Sequence, residues 1–185
     1  MLIVISGTPG TGKTDVAKLL GKKLRARLLT TNYLVKKYKI KTHPDKKRKT
    51  KIIDTKKLAA AAKKEANRAL AIFEGHLAHF TPADLTIILR TNPKELEERL
   101  KKKKWIKKKI KENVEAEAIG VISNETGKKK NVIEIDTTGK TPQNTATLIL
   151  KLLNKYQLQK RYLRKIDWTK EYMKYLNKKI ATGSS

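Results

Sequence analysis

Gly7-Thr8-Pro9-Gly10-Thr11-Gly12-Lys13-Thr14 decides the fold of this chain, because it connects a predicted buried strand to a predicted helix. The preceding run Leu2 to Ser6 is almost wholly apolar, which is typical of a parallel strand covered on both faces. Glycines in the turn permit backbone dihedrals that point several N–H groups at one centre. The start of the helix over residues 13–24 adds the positive end of its dipole. The sequence therefore predicts an anion-binding loop at this turn.

The spacing of Gly7, Gly12, Lys13 and Thr14 matches the Walker A pattern of ATP-binding proteins. In that pattern the lysine reaches the β and γ phosphates, and the hydroxyl of the following residue binds Mg²⁺. Asp15 comes next, in the first turn of the helix, where an acidic side chain interacts favourably with the helix dipole. Its backbone N–H can reach the α phosphate. We therefore predict a site for ATP and Mg²⁺.

Apolar runs alternate with helical patterns along the rest of the chain. Alternation of this kind predicts an α/β fold with a five-stranded parallel sheet flanked by helices. We expect one domain over residues 1–180, with a polar, basic connection at 43–50 and a disordered tail at 181–185. Further strands are predicted at 27–29, 70–73, 85–89 and 132–135, and further helices at 32–38, from 54, from 93 to about 104, and at 110–122, 142–156 and 167–179.

The charge of the chain is strongly unbalanced. It has 45 Lys and Arg residues against 17 Asp and Glu residues, a formal net charge of +28. A positive field of this size favours nucleic acid or another polyanion through counterion release. Accumulation of lysine in an AT-rich genome explains the same composition, so both interpretations stay open.

The composition excludes several classes of site. The chain contains no cysteine, which rules out disulfides, thiolate catalysis and cysteine-based zinc sites. No apolar stretch approaches the roughly 20 residues of a membrane span, and no basic segment precedes the first apolar run as it would in a signal peptide. We therefore expect a cytoplasmic protein that makes no membrane contact.

Several blocks beyond the phosphate loop form a recognisable series. They are, in chain order, Phe73-Glu74-Gly75-His76-Leu77-Ala78-His79-Phe80, Leu89 to Pro93, Glu98-Arg99-Leu100, Glu112 to Glu117, Ile135 to Pro142 and Ile166-Asp167-Trp168. Together with the phosphate loop, this series resembles the archaeal and nuclear adenylate kinases, whose eukaryotic members (adenylate kinase isoenzyme six) also assist assembly of the small ribosomal subunit. The resemblance covers nearly the whole chain. It implies a P-loop NTPase fold of the nucleoside monophosphate kinase type, with an NMP-binding insert at about 30–53 and a lid at about 101–111.

The resemblance also assigns roles to individual residues. Arg99 and Lys103 fall where the family places lid cations, and Lys103 is also expected close to the ATP phosphates. Gly139 and Lys140 fall in the loop that would border the adenine. The residues that fall at the ATP phosphates are Gly10, Gly12, Lys13, Thr14 and Asp15.

Two residues of the segment after the third core strand are further candidates. Glu74 ends an apolar strand next to the strand that enters the phosphate loop, so its carboxylate is well placed to hold Mg²⁺ through water. By the resemblance it is the Walker B-like carboxylate. His76 occupies the place of a histidine of that segment, where it either orients a water or an acceptor phosphate or only caps the loop. His43 and His79 receive no role.

The chain departs from the family pattern in its lid. Lys103 and Lys104 stand where such kinases commonly carry arginine and glycine. The planar guanidinium of arginine grips a phosphate with two hydrogen bonds, whereas lysine is a point charge. The replacement lowers turnover unless the neighbouring lysines compensate through their field. Arg90 is either a second clamp on the transferred group or a structural residue that closes its strand end.

Two functions follow. The first is Mg-ATP-dependent phosphoryl transfer, with catalysis by Lys13, Glu74, His76, Arg99 and Lys103; the resemblance implies AMP as the acceptor and a role in biogenesis of the small ribosomal subunit. The second is an assembly ATPase with water as the acceptor in the same site, for which the resemblance implies a particle containing the ribosomal protein uS11 and 16S rRNA. In both cases we expect a monomer.

Overall fold

The computed structural model describes residues 1–45, 50–155, 159–163 and 166–181. Its strands are β1 (Leu2–Gly7), β2 (Arg27–Thr30), β3 (Thr42–Asp45), β4 (Thr50–Ile53), β5 (Ala71–Glu74), β6 (Leu85–Arg90) and β7 (Val132–Asp136). Its helices are α1 (Lys13–Leu24), α2 (Thr31–Lys37), α3 (Thr55–Ala66), α4 (Pro93–Lys102), α5 (Lys107–Ala118), α6 (Val121–Glu125), α7 (Pro142–Asn154) and α8 (Thr169–Ala181).

The central sheet has five parallel strands in the order β2-β5-β1-β6-β7. This confirms the predicted α/β fold with a five-stranded parallel sheet. Strand β1 lies in the middle, and all six of its residues are buried because both faces of the sheet are covered. The carboxyl ends of the strands meet at one edge, so the turn after β1 lies beside the turns after β5 and β6. In open α/β sheets ligands bind at this edge.

Two apolar layers enclose the sheet. On one face, Leu20 of α1 and Ile149 of α7 pack with the residues of β1, β6 and β7 that point to that side. On the other face, Leu34 of α2 and Leu58 of α3 pack with Phe73 of β5. A smaller cluster joins α4 to α5, with Tyr172 of α8 packed against it; its members are Leu96, Leu100, Ile110 and Val114.

Several helix ends follow the rules that the sequence suggested. Asp54 caps α3, its carboxylate accepting hydrogen bonds from the backbone N–H groups of Lys56 and Lys57. Thr141 caps α7 in the same way through the N–H of Asn144. Pro93 occupies the first position of α4, where its missing N–H is no loss.

Three predictions about secondary structure were wrong. The predicted basic connection at 43–50 contains strand residues, because Thr42–Asp45 pairs with Thr50–Ile53 as an antiparallel ribbon in which His43 lies opposite Ile52. The predicted single helix at 110–122 is two helices, since Gly120 adopts φ +63° between them. Ala181, predicted to be disordered, is the last residue of α8, and residues 182–185 lie outside the described part.

Within the residues that the structure describes, no helix is both long and apolar enough to cross a membrane.

A buried carboxylate ties α3 to the start of the predicted NMP-binding insert. Glu65 accepts from Lys37 Nζ at 2.6 Å and from Tyr38 Oη at 2.7 Å, and its other oxygen lies 2.7 Å from Arg27 Nη2. The three long side chains cover the carboxylate near the protein surface. The hydrogen bonds from Lys37 and then Tyr38 lower the pKa of Glu65 to about 2.

We expect Glu65→Gln to remove part of the acid sensitivity of the fold. The pKa of Glu65 in the folded protein, about 2, lies below the value for an unfolded chain, about 4.3. Its stabilisation is therefore present above the unfolded value and is lost as the pH falls towards 2. Urea unfolding between pH 7 and pH 3 should give a shallower pH dependence for the variant, with a loss of about 2 kcal/mol at pH 7. Identical pH slopes would rule out this role of Glu65.

Candidate active site

The turn between β1 and α1 has the backbone that its glycines predict. Gly12 caps α1 with φ +91°, a left-handed conformation that a side chain would strain although the space beside it is open. Gly10 has φ +99° and lies against α4, where an added Cβ would be 2.7 Å from Leu96 Cδ1. The loop therefore packs against α4 at Gly10. It ends at the N-terminus of α1, a helix of twelve residues. Such a loop can bind phosphate through its backbone N–H groups.

Lys13 lies at the centre of this turn. Only 9% of its surface is exposed, and its Nζ donates to the backbone oxygen of Thr8 at 3.0 Å. Burial lowers the pKa of the Lys13 ammonium to about 8, while the carboxylates of Glu74 and Glu117 oppose that shift. In the free protein, the ammonium interacts with the carbonyl of Thr8 and with the charges of Glu74 and Glu117. A bound phosphate would add a further negative charge next to it.

The two predicted magnesium ligands are in contact. Glu74 ends β5 in register with Ile5 of β1, which brings its carboxylate to the phosphate loop. Thr14 Oγ1 lies 3.3 Å from Glu74 Oε2, and the Thr14 residue is exposed while Glu74 is largely buried. Mg²⁺ takes oxygen ligands, among them carboxylates and, in phosphate loops of this type, the hydroxyl of the residue after the lysine. The residues therefore fit a Mg²⁺ ion between the loop and β5. Asp15, the next residue along α1, is exposed in its first turn.

His76 lies in the turn after β5, close to Lys13. The residue is exposed. Loss of surrounding water, followed by the positive charge of Lys13, lowers the pKa of its imidazole. This direction favours the neutral ring and does not distinguish the two roles that the sequence left open.

Arg99 connects the phosphate loop to the turn after β7. Its guanidinium pairs with Glu95 one turn earlier in α4 and donates to the backbone oxygen of Thr137 at 2.8 Å. It also reaches the backbone oxygen of Gly10 at 3.4 Å. Glu95 in turn accepts from the N–H of Gly139 at 2.9 Å. The structure thus brings Arg99 and Gly139 to the same side of the loop, with Lys140 exposed beside them.

Lys103 and Lys104 directly follow α4, with Lys103 as its C-cap residue. Lys103 is exposed, and after burial its charge adds a small further lowering of the pKa of Lys13. Lys104 adopts φ +56°, the left-handed conformation that ends many helices and usually carries glycine. The N–H of Lys104 donates to the backbone oxygen of Lys101 at 2.8 Å. The glycine of the family pattern therefore corresponds to a strained lysine here.

We expect Lys104→Gly to stabilise the fold by about 1 kcal/mol, because glycine adopts a positive φ without the steric cost that a Cβ imposes. Lys102→Gly makes the same chemical change within α4, where it should cost roughly 0.5–1 kcal/mol. Opposite signs in urea unfolding are the predicted result. A loss of stability in both variants would contradict the strain at Lys104.

Sequence reasoning missed a buried ion pair beneath the loop. Arg90 is 2% exposed; its Nε donates to Glu117 Oε1 at 2.7 Å, and its Nη1 donates to the backbone oxygen of Ile166 at 3.0 Å. The other oxygen of Glu117 accepts from the Thr8 hydroxyl at 2.5 Å. Arg90 also lies 3.4 Å from Glu134 Oε2. These contacts favour the structural role of Arg90 over the clamp.

Glu117 links the loop to α5, whose first turn lies within the predicted lid. Burial raises the pKa of its carboxyl, and the Arg90 guanidinium opposes this shift. The N–H of Thr91 donates to the same oxygen as Arg90 at 3.0 Å. The sequence identified the block from Glu112 to Glu117 but not its contacts. Glu117 reaches Thr8 and Arg90 because β6 lies next to β1 in the sheet. No local pattern carries that information.

Comparisons with known proteins relate the chain to a family and to named relatives. Residues 3–120 match a family described as an AAA domain. A protein of Pyrococcus furiosus named "Putative adenylate kinase" is 41% identical over 174 residues, which cover 93% of this chain and 93% of that protein. A protein of the same name from Thermococcus onnurineus is 40% identical over 175 residues, covering 94% of each chain.

Solved structures share the fold at lower identity. The structure of a deoxyadenosine kinase from M. mycoides superposes with a TM-score of 0.57 at 18% identity, covering 83% of this chain and 99% of that one. At this identity the likeness supports the architecture of the sheet and helices alone.

Proposed function

The chain belongs to the family of archaeal adenylate kinase-like proteins, and from this membership we propose that it transfers a phosphoryl group from ATP to AMP. The observation that carries the proposal is the meeting of three groups at one sheet edge: the buried ammonium of Lys13 inside the loop, the Thr14 hydroxyl, and the Glu74 carboxylate 3.3 Å from that hydroxyl. A nucleotide kinase needs these groups, and the names of the relatives point to adenine nucleotides.

In the proposed reaction an oxygen of the AMP phosphate forms a bond to the γ phosphorus of ATP. The bond between that phosphorus and the β–γ bridging oxygen breaks, so that two ADP molecules result. The acceptor is already an anion, hence no general base is required. Catalysis then consists of positioning and of stabilising charge on the transferred group. Lys13 supplies a positive charge for the β and γ oxygens, together with the N–H groups of Gly10, Gly12 and the start of α1.

Thr14 directly and Glu74 through water would hold Mg²⁺, which when bound supplies positive charge to the phosphate oxygens. Asp15 would offer its backbone N–H to the α phosphate. In the proposed arrangement, Gly139 and Lys140 border the adenine. Arg99 and Lys103 contribute cations from the side of the lid, and His76 either orients the acceptor phosphate or caps the loop.

The proposal also assigns two mobile segments. The lid is residues 101–111, and the NMP-binding insert is residues 30–53. Closure of both segments over the nucleotides would exclude water, so that hydrolysis of ATP does not compete with transfer to AMP. A cytoplasmic location and a monomeric state stay predictions of the sequence.

An acceptor screen tests this proposal. ATP and Mg²⁺ are incubated with AMP, dAMP, CMP, GMP or UMP, and the diphosphate products are separated by ion-exchange chromatography. We expect AMP to be the best acceptor. A rate of ADP formation that no nucleoside monophosphate raises above the rate with ATP alone would overturn the kinase proposal.

A second candidate function, an ATPase acting on a ribosomal particle, is favoured by the charge of the lid segment. Residues 101–111 contain eight lysines, almost all exposed. Trp105 and Ile106 lie between them with 37% and 63% of their surfaces exposed. Lysines beside an exposed aromatic ring suit single-stranded RNA. In this proposal uS11 and 16S rRNA are the partners, and water replaces AMP as the acceptor.

RNA binding at two salt concentrations separates the candidates. If the lid lysines contact phosphates, affinity for a 16S rRNA fragment should fall steeply as salt increases, and the slope counts the contacts. ATP hydrolysis should then rise when uS11 and this RNA are added together. Salt-independent or absent binding would leave composition drift as the explanation of the charge.

A further inference from the structure

Two buried side chains, Ser6 and His79, and the exposed carboxylate of Glu125 form a chain of contacts behind the phosphate loop. His79, in the short 3-10 turn Ala78–Phe80, is 1% exposed. Its Nδ1 lies 3.1 Å from Ser6 Oγ, and its Nε2 lies 2.9 Å from Glu125 Oε2 at the end of α6. The carboxylate of Glu125 can only accept, so Nε2 carries a hydrogen. The single hydrogen of the Ser6 hydroxyl goes to the backbone oxygen of Gly75, which can only accept, so the Ser6–Nδ1 contact is a hydrogen bond when Nδ1 also carries a hydrogen.

Ser6 connects this imidazole to the two strand ends that form the site. It is the residue directly before Gly7, where the phosphate loop begins. Its hydroxyl lies 2.9 Å from the backbone oxygen of Gly75, the residue directly after Glu74. The N–H of Gly75 donates to the backbone oxygen of Ile5 at 3.2 Å. The turn after β5 is therefore attached to β1 by one backbone contact and by the Ser6 hydroxyl.

The position of this turn decides where the Glu74 carboxylate lies. Glu74 is the last residue of β5, so a shift of Gly75 moves the end of that strand relative to α1. Thr14 lies on α1 and moves with β1 through the phosphate loop. A rotation of the Ser6 hydroxyl away from Gly75 would consequently loosen the Thr14–Glu74 pair. His79 opposes that rotation because its ring fills the space beside the hydroxyl and contacts it.

We propose that His79 is a positioning residue for phosphoryl transfer, which acts through Ser6 and Gly75 to set the Glu74 carboxylate against the Thr14 hydroxyl. It does not touch the nucleotide, since Ser6 and the strand ends lie between. The inference rests on the proposed function, in which Thr14 and Glu74 hold Mg²⁺. Replacing a residue that orients a metal ligand without binding the metal commonly lowers metal affinity 10- to 100-fold.

The test uses two replacements that each keep one half of the imidazole. Asparagine places a polar atom near the position of Nδ1, so His79→Asn retains the contact with Ser6 and loses Glu125. Glutamine reaches the position of Nε2, so His79→Gln retains Glu125 and loses Ser6. Ser6→Ala removes only the hydroxyl oxygen, and with it the contacts of Ser6 with His79 and Gly75. This variant keeps the test informative if a His79 variant fails to fold.

We expect His79→Gln and Ser6→Ala to raise the Mg²⁺ concentration for half-maximal ATP binding, measured by calorimetry, about tenfold. Affinity for ATP without Mg²⁺ should stay within a factor of about two, and His79→Asn should resemble the parent protein. The double variant Ser6→Ala with His79→Gln should be no worse than His79→Gln alone, because both changes break one connection. In the kinase assay kcat should fall while KM for AMP is unchanged.

Thr86→Val is the matched control. Thr86 is fully buried in β6, and its hydroxyl has no hydrogen-bond partner within the described residues. Replacement by the isosteric valine should leave the Mg²⁺ dependence of ATP binding unchanged. If His79→Gln and Ser6→Ala also keep the Mg²⁺ dependence of the parent while their melting temperatures fall, His79 is structural only and the inference is wrong.

The calorimetric measurement separates this inference from the proposed function. A parent protein that binds Mg-ATP but transfers nothing to AMP would refute the kinase proposal, while the variants would still report on the placement of Glu74. A parent protein with full kinase activity and variants with unchanged Mg²⁺ dependence would refute the role of His79 alone.

Discussion

Lys13→Ala is expected to lower kcat for ADP formation about 10³-fold, the size of effect that follows removal of a donor aimed at developing charge. Lys13 is 9% exposed and its ammonium lies inside the loop, so neither water nor a neighbouring side chain replaces it readily. Its pKa in the free protein is lowered to about 8 by burial, which means that the charge is costly before nucleotide binds. Removal of the side chain should therefore leave the free energy of unfolding unchanged or raise it.

Lys18→Ala provides the control for this prediction. Lys18 lies on the same helix but is exposed to solvent. The Lys18→Ala replacement removes the same charge and the same side chain at a position outside the loop. The kcat of this variant should therefore match that of the parent protein. If Lys13→Ala retained more than about a tenth of the parent kcat, the ammonium would contribute less than about 1.4 kcal/mol to the barrier. The loop would then not be the catalytic site.

Glu117→Ala is expected to destabilise the fold by about 3–5 kcal/mol, because it leaves the guanidinium of Arg90 buried without its principal partner. The N–H of Thr91 and the hydroxyl of Thr8 lose their acceptor as well. Urea unfolding measures this loss. Glu112→Ala, on an exposed position of the same helix, should change stability by no more than about 0.5 kcal/mol.

A second variant separates the lost ion pair from lost packing. Arg90→Met combined with Glu117→Leu removes both charges, and replacement of a buried pair by apolar side chains is often close to neutral. We therefore expect the double variant to recover much of the stability lost in Glu117→Ala. Its KM for ATP should still be raised, because Thr8 in the phosphate loop remains without its acceptor. Equal stability of Glu117→Ala and Glu112→Ala would contradict this account of the ion pair.

The features that sequence predicted are those that local chemistry decides. The continuous apolar run before Gly7 and the glycine spacing after it predict β1, its loop and α1 without knowledge of the rest of the chain. Glu74 was found for a similar reason, because an acid that ends an apolar strand is conspicuous. The side chains of Asp54 and Thr141 cap their helices as their residue types suggest.

The features that it missed depend on contacts between distant residues or on weak local preferences. The β3–β4 ribbon lies in a lysine-rich segment with a proline, and only the pairing of His43 with Ile52 makes it a strand pair. Gly120 ends a helix that the apolar pattern would continue. His79 received no role, since its partners Ser6 and Glu125 lie 73 and 46 residues away in sequence. Their meeting depends on how the turn at Ala78–Phe80 and the helix α6 pack behind β1, which alternation of strands and helices does not decide.

The most direct test of the central claim follows the phosphorus nuclei of ATP and AMP by NMR during turnover with Mg²⁺. The account predicts that one AMP and one ATP disappear for every two ADP formed, with little inorganic phosphate, and that Lys13→Ala stops the conversion. Release of one inorganic phosphate for each ADP, with AMP unconsumed, would contradict it.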